Sequence, residues 1–155
     1  MNETAERFAE LCREETAVLA TLLATLEAEQ RALVGREVSA LEALAERKAE
    51  QLRALEEPSR GRAAVMRLAE LVDAASLNAW LADKPEALSA WEALEVTLAR
   101  TRSVNQVNGR LMGDRLERVE EALAVLKSAA AATMGYERDG SQGQVMSGGR
   151  HLGSA

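Results

Sequence analysis

The sequence predicts an all-α protein: an elongated antiparallel helical bundle with a long C-terminal helix and a flexible Gly/Ser-rich tail. Three observations carry that prediction. Ala and Leu supply 52 of the 155 residues, Gly and Pro only 12, and aromatics 3%, a composition suited to long helices and poor in sheet formers. Apolar residues recur at the three-and-four spacing of a helix face through most of the chain. The pattern stops before residues 135–155, where Gly, Ser and Gln take over. The expected division is a bundle domain over 1–134 and a tail over 135–155.

The first stripe runs Phe8, Leu11, Val18/Leu19, Leu22, Leu26 and Leu33, and resumes as Leu41, Leu44, Lys48, Leu52 and Leu55. The step from Leu33 to Leu41 is one residue longer than a heptad, which rotates the stripe by roughly 100°. Gly35 falls in that gap, and Ser39 with Glu42 has the spacing of a capping box at a new start. Two helices, or one sharply kinked helix, satisfy this pattern. In "EEPSRG" (56–61), Pro58 and Gly61 signal a break. A shorter helix is then expected over 62–74, with Val65, Leu68, Leu71 and Val72 on one side. "SLNAWLADKP" (76–85) adds a short turn with Leu77, Trp80 and Leu81 on one face, fit to cover the bundle end. Pro85 suits the first turn of the last helix, where its missing N–H is no loss. From Glu86 to about Thr133 no proline intervenes, so this helix would be on the order of 70 Å long and lie against the first two.

Charge is uneven. Residues 1–57 hold 13 acids and 7 bases, and the remainder holds 12 of each, so the whole net charge of −6 lies in the first third. Arg100, Arg102, Arg110, Arg115 and Arg118 of the long helix would face that acidic region in weak exposed pairs, about 0.5 kcal/mol each. No basic block exists to bind phosphates, which argues against nucleic acid as a partner. No run reaches the roughly 18–20 apolar residues of a membrane span, and "MNETAERFAE" lacks the apolar centre of a signal peptide, so no membrane insertion and a cytoplasmic location are expected.

"VNQVNGRLMGDRL" (104–116) puts poor helix formers inside the best helix. Heptads counted from Trp91 place Leu94, Leu98, Thr101, Asn105, Asn108 and Met112 on the seam. A seam Asn gives up stability to fix register. Gly109 and Gly113 lie four apart on a neighbouring face, where absent side chains permit close approach of another helix. Each costs about 1 kcal/mol relative to Ala. Asn105, Asn108, Gly109 and Gly113 are therefore read as register devices in a continuous helix. A turn at Asn108-Gly109 is the alternative.

Beyond them, Leu116, Val119, Leu123, Leu126 and Met134 offer an apolar strip that is either core or open to a partner helix. Val145 and Met146 are apolar residues in a tail that cannot bury them alone, and methionine adapts to irregular surfaces. Together these seven form the candidate partner-binding set.

Catalysis finds little support. His151 is the only histidine and lies in the tail, unsuited to a preorganised acid–base role. Cys12, the single cysteine, sits on or beside an apolar face and reads as a small core or rim residue. One His and one Cys cannot build a usual zinc site, and the tail glycines open no helix that could cradle phosphate. No catalytic residue, metal or cofactor is expected.

"NQVNGRL" (105–111) on a long helix, followed by "YERDG" (136–140) opening the tail, with "LAERKAEQLRAL" (44–55) in the N-terminal half, resembles the FlgN family of flagellar export chaperones. Asn105, Asn108, Gly109, Lys48, Tyr136 and Gly140 carry most of the likeness. The resemblance implies a cytoplasmic chaperone for the C-terminal helical segments of hook–filament junction proteins. It would prevent their premature assembly and deliver them to the flagellar type III export gate and its ATPase complex. Tyr136 matches the family's tail tyrosine, which is associated with gate docking. A monomer is the favoured state. The rival reading is a generic coiled-coil adaptor unrelated to flagella, which would account for the heptads but not for the tyrosine-bearing tail.

Overall fold

A computed structural model describes the backbone of residues 2–134 and the side chains of residues 2–114 and of residue 124. The described residues form four helices and no strand: α1 (Glu3–Gly35), α2 (Val38–Leu68), α3 (Ala74–Leu81) and α4 (Pro85–Met134). The residues divide into two units at Asn108/Gly109. The packing described below belongs to the first.

Local chemistry sets the helix ends. Asn2 caps α1 by accepting from the Ala5 N–H at 2.7 Å, and Glu3 and Glu6 answer the helix dipole in the first turn. The helix ends with Arg36 in the left-handed region (φ 58°), while the Glu37 N–H closes back on the Ala32 carbonyl at 2.9 Å. The chain thus forms two helices with a tight turn between them. The expected Ser39–Glu42 capping box is absent because α2 already begins at Val38, which puts Ser39 inside the first turn; Glu37 occupies the cap and makes no side-chain bond there.

The break expected at 56–61 does not occur, and α2 passes through both Pro58 and Gly61 to Leu68. Pro58 forfeits one helical hydrogen bond but is buried. Gly61 serves proximity, since a Cβ there would lie 2.9 Å from the Leu11 Cδ2. Packing against α1 overrides the local breaker signal. The expected 62–74 helix is replaced by the end of α2 and a turn. Glu70 takes the left-handed conformation (φ 58°) and the Leu71 N–H reaches back to the Met66 carbonyl at 2.9 Å. Leu71 consequently turns inward and is buried, whereas Leu68 and Val72, expected on the same face, are 86% and 85% exposed.

Asp73 starts α3 with a capping box. Its carboxylate accepts from the Ser76 N–H at 2.8 Å, and its own N–H donates to the Ser76 Oγ at 3.2 Å. The Ser76 hydrogen bonds hold the Asp73 carboxyl below its ordinary pKa. Leu77 and Leu81 are buried as expected, and Trp80 is half-buried. Pro85 opens α4, which continues without interruption through Asn108 and Gly109, so no turn forms there.

Seam residues of α1 now read without gaps. Phe8, Cys12, Glu15, Leu19, Leu22, Leu26, Glu29 and Leu33, at alternating steps of four and three, are all buried. Opposite them on α2 lie Leu44, Lys48, Leu55, Pro58 and Arg62 at the same alternation or its multiples. Glu15 meets Arg62 and Glu29 meets Lys48, so α2 runs antiparallel to α1. Phe8 stacks near Trp91 (6.0 Å) while Leu26 and Glu29 reach Asn108, so α4 returns parallel to α1. One end of this unit is closed by Phe8, packed edge-on against Trp80 at 5.3 Å, with Leu77, Leu81 and Ala87 in the same cluster. Cys12 is fully buried there, and desolvation pushes its thiol up to about 12.

Candidate functional site

Two polar layers interrupt the apolar seam of residues 2–108. In the first, Glu29 is 3% exposed and receives both Lys48 and Asn108. The Lys48 Nζ lies 3.4 Å from one carboxylate oxygen, and the Asn108 Nδ2 donates to the other at 2.9 Å. The same Nδ2 donates its second proton to the Leu26 carbonyl at 2.8 Å. This geometry fixes the amide orientation, because the reverse orientation would aim an oxygen at two acceptors. The Asn108 Oδ1 is buried without a partner among the described residues, a penalty of about 1–3 kcal/mol that the two donated bonds offset. Three helices meet in this layer, which ties α4 to α1 at the last residue of the packed unit.

In the second layer, Arg62 of α2 forks onto the Glu15 carboxylate through Nε and Nη2, and its guanidinium carbon lies 5.6 Å from the Trp91 ring centroid. The Met66 sulfur takes a third contact at 3.3 Å. Both acids are buried, so each charge depends on its partner; removal of one member strands the other in a poor solvent.

Neither acid was identified as a site residue from the sequence. The signal was present: the α1 stripe has holes at 15 and 29, and both holes are filled by glutamates. Lys48 stood out in its stripe, but its partner could not be chosen without the α1–α2 register. The third residue, Asn108, lies on the seam and is 1% exposed. Asn105 does not: it is exposed, and Val104 packs against the core in its place. The strict seven-residue series Ala87, Leu94, Thr101 and Asn108 is buried throughout, and the second seam position runs one step before the counted one, through Ala90 and Val104 instead of Trp91 and Asn105. Met112, counted on the same seam, is 40% exposed. A Cβ on Gly109 or Gly113 would meet nothing within 4 Å among the described residues. No described neighbour therefore uses the close approach these glycines permit.

Of the arginines expected beside the acidic third, Arg100 pairs with Glu27 at 3.7 Å in an exposed contact; Arg115 and Arg118 lie outside the described side chains. Leu116, Val119, Leu123, Leu126 and Met134 belong to α4, but their side chains lie outside the described residues. Tyr136, Val145 and Met146 lie outside them entirely, as do Gly140 and His151. No described helix is long and apolar enough to cross a membrane, and no group of three or more metal-ligating side chains occurs among the described residues.

The family model described as FlgN protein matches residues 1–144. No curated protein and no solved structure matches the chain.

Proposed function

This chain belongs to the FlgN family of flagellar export chaperones, and we propose that it binds the C-terminal helical segments of hook–filament junction proteins. In this reading it holds them in the cytoplasm, prevents early assembly and delivers them to the export gate and its ATPase complex. The observation that carries the proposal is the family match over 1–144, nearly the whole chain. Heptads alone would fit a generic adaptor equally well.

The physical division of labour follows from the residues. Residues 2–108 bury their own seam and supply a register, anchored at Asn108 by Glu29 and Lys48. Client binding falls to the C-terminal part, with Leu116, Val119, Leu123 and Leu126 offering an apolar strip and Met134, Val145 and Met146 adaptable contacts. Tyr136 is assigned to gate docking. The bundle as domain 1–134 and 135–155 as its tail are part of the same proposal.

A pull-down with a junction-protein C-terminal peptide tests it. The full chain should retain the peptide, and a chain lacking 134–155 should keep its helicity by circular dichroism yet lose the peptide. Full retention by the truncated chain would overturn the assignment of the client site.

A further inference from the structure

α4 contains two glycines, Gly109 and Gly113, and both are exposed. A Cβ at either position would meet nothing within 4 Å among the described residues, so alanine fits at both. Gly61 is the contrast, since a Cβ there would press on Leu11 and the glycine makes room for a neighbour. At 109 and 113 the effect that remains is on the helix itself. Each glycine lowers the ratio of helical to open backbone about fivefold relative to alanine. Asp114, another poor helix former, follows directly.

Packing changes at the same place. Before it, Ala87, Ala90, Leu94, Thr101 and Asn108 are buried. Of residues 109–114 none is buried; Leu111 is half-buried and Met112 is 40% exposed. Asn108 closes the buried series with the firmest hold on the bundle. Its Nδ2 donates to the Leu26 carbonyl at 2.8 Å and to the Glu29 carboxylate at 2.9 Å. The first compact unit ends at this residue. The helix is therefore gripped at Asn108 and weakest immediately after it.

We propose that residues 109–113 are a hinge in α4, at which the helix opens while Asn108 holds the preceding part in the bundle and the part beyond turns as a separate body. Asn108 is the stop of this hinge. An opening that begins at the glycines has to break both of its hydrogen bonds before it can spread towards Thr101. A partner held by the C-terminal part can then draw that part into a new direction without pulling α4 out of its seam. The hinge is a property of the helix and does not depend on which partner is held, so it stands or falls independently of the client assignment.

Amide hydrogen exchange on the full chain, followed by NMR, tests the opening. Amides of 110–114 should exchange at least about tenfold faster than those of 98–107. The double variant Gly109→Ala, Gly113→Ala should slow them about 25-fold. Asn108→Ala should carry the fast exchange back towards Thr101. Spin-label distances test the turning. Nitroxides at Val96→Cys and Glu121→Cys, in a Cys12→Ala background, stand about 38 Å apart along a straight helix. The full chain should give a broad distribution that reaches well below this distance, and the double alanine variant a narrow peak close to it. Exchange at 110–114 as slow as at 98–107, or a narrow distance peak before any glycine is replaced, would overturn the proposal. So would alanine variants that alter neither quantity, or an exchange boundary that stays at 108 after Asn108→Ala.

Discussion

Replacement of Glu29 by Leu should destabilise the bundle by about 3 kcal/mol, although it adds an apolar residue to an apolar seam. The magnitude follows from what is left behind. Glu29 accepts from the Lys48 Nζ at 3.4 Å and from the Asn108 Nδ2 at 2.9 Å. Without it, Asn108 keeps only the Leu26 carbonyl and holds an unpaired N–H beside an Oδ1 that already lacks a partner. Each such group costs about 1–3 kcal/mol. Lys48, whose side chain is 27% exposed, can lean its ammonium towards water and lose less. Lys48→Met should be worse, about 4 kcal/mol, because it strands a buried carboxylate. Asn108→Leu should cost only about 1 kcal/mol, since it also removes the orphan oxygen. The triple variant Glu29→Leu, Lys48→Met, Asn108→Leu should return to within about 1 kcal/mol of the parent, against about 8 kcal/mol if the effects added. Urea unfolding followed by circular dichroism measures all of these, and about 3 kcal/mol corresponds to a Tm loss near 12 °C for a unit of this size. Single variants within about 0.5 kcal/mol of the parent, or a triple variant as unstable as the sum, would refute the layer as a coupled unit.

Three other outcomes follow from the same geometry. Gly61→Ala should destabilise by about 1–2 kcal/mol, because its Cβ would press on the buried Leu11, whereas Gly109→Ala meets nothing and should stabilise α4 by about 1 kcal/mol; thermal melts distinguish the two. Arg36→Gly should raise stability by about 1 kcal/mol by relieving a left-handed non-glycine residue, provided the α1–α2 turn is unchanged, and denaturant midpoints will show it. Cys12 should resist thiol reagents at pH 8 in the folded chain. Its folded pKa of about 12 lies above the ordinary thiol value of 9.0, so its stabilising contribution is complete below pH 9 and lost as pH rises towards 12; Cys12→Ala should flatten that alkaline decline in stability.

Much of the architecture was legible in the sequence because helix faces are written in period. The α1 stripe, the placement of Leu77 and Leu81, the role of Pro85 and the continuity of α4 through Asn108-Gly109 all follow from spacing. What was not legible depended on the neighbour. Pro58 and Gly61 are local breakers, yet Pro58 is buried and Gly61 takes the close approach of Leu11. Leu68 and Leu71 share a helical face on paper, but Glu70 ends the helix between them in a conformation that sequence does not announce for a glutamate. Asn105 was placed on the seam by a heptad count begun at Trp91, whereas the buried second position runs through Ala90 and Val104. In the candidate site, Asn108 and Lys48 were conspicuous as misfits. Glu29, the acid that joins them, was lost among many exposed glutamates because a single acid on a stripe looks like any other until its partner is known.

The spacing of the two ion pairs has a consequence for how the α1–α2 hairpin finds its alignment. Leucine meets leucine almost as well one heptad along, so an apolar seam alone would tolerate sliding. Here the acids at 15 and 29 stand two heptads apart, as do the bases at 48 and 62. A slide of one heptad sets Glu29 against Leu41 or Leu55, and Glu15 against Leu55 or Ala69. All four charges then enter an apolar seam unmatched. A slide of two heptads rescues at most one pair and leaves the other two charges stranded. The four residues act as a two-pin key: one alignment engages both pins, and every neighbouring alignment jams. Individual leucines in this hairpin should therefore be exchangeable at modest loss, while the identity of the alignment resides in four polar side chains that contribute little to its net stability.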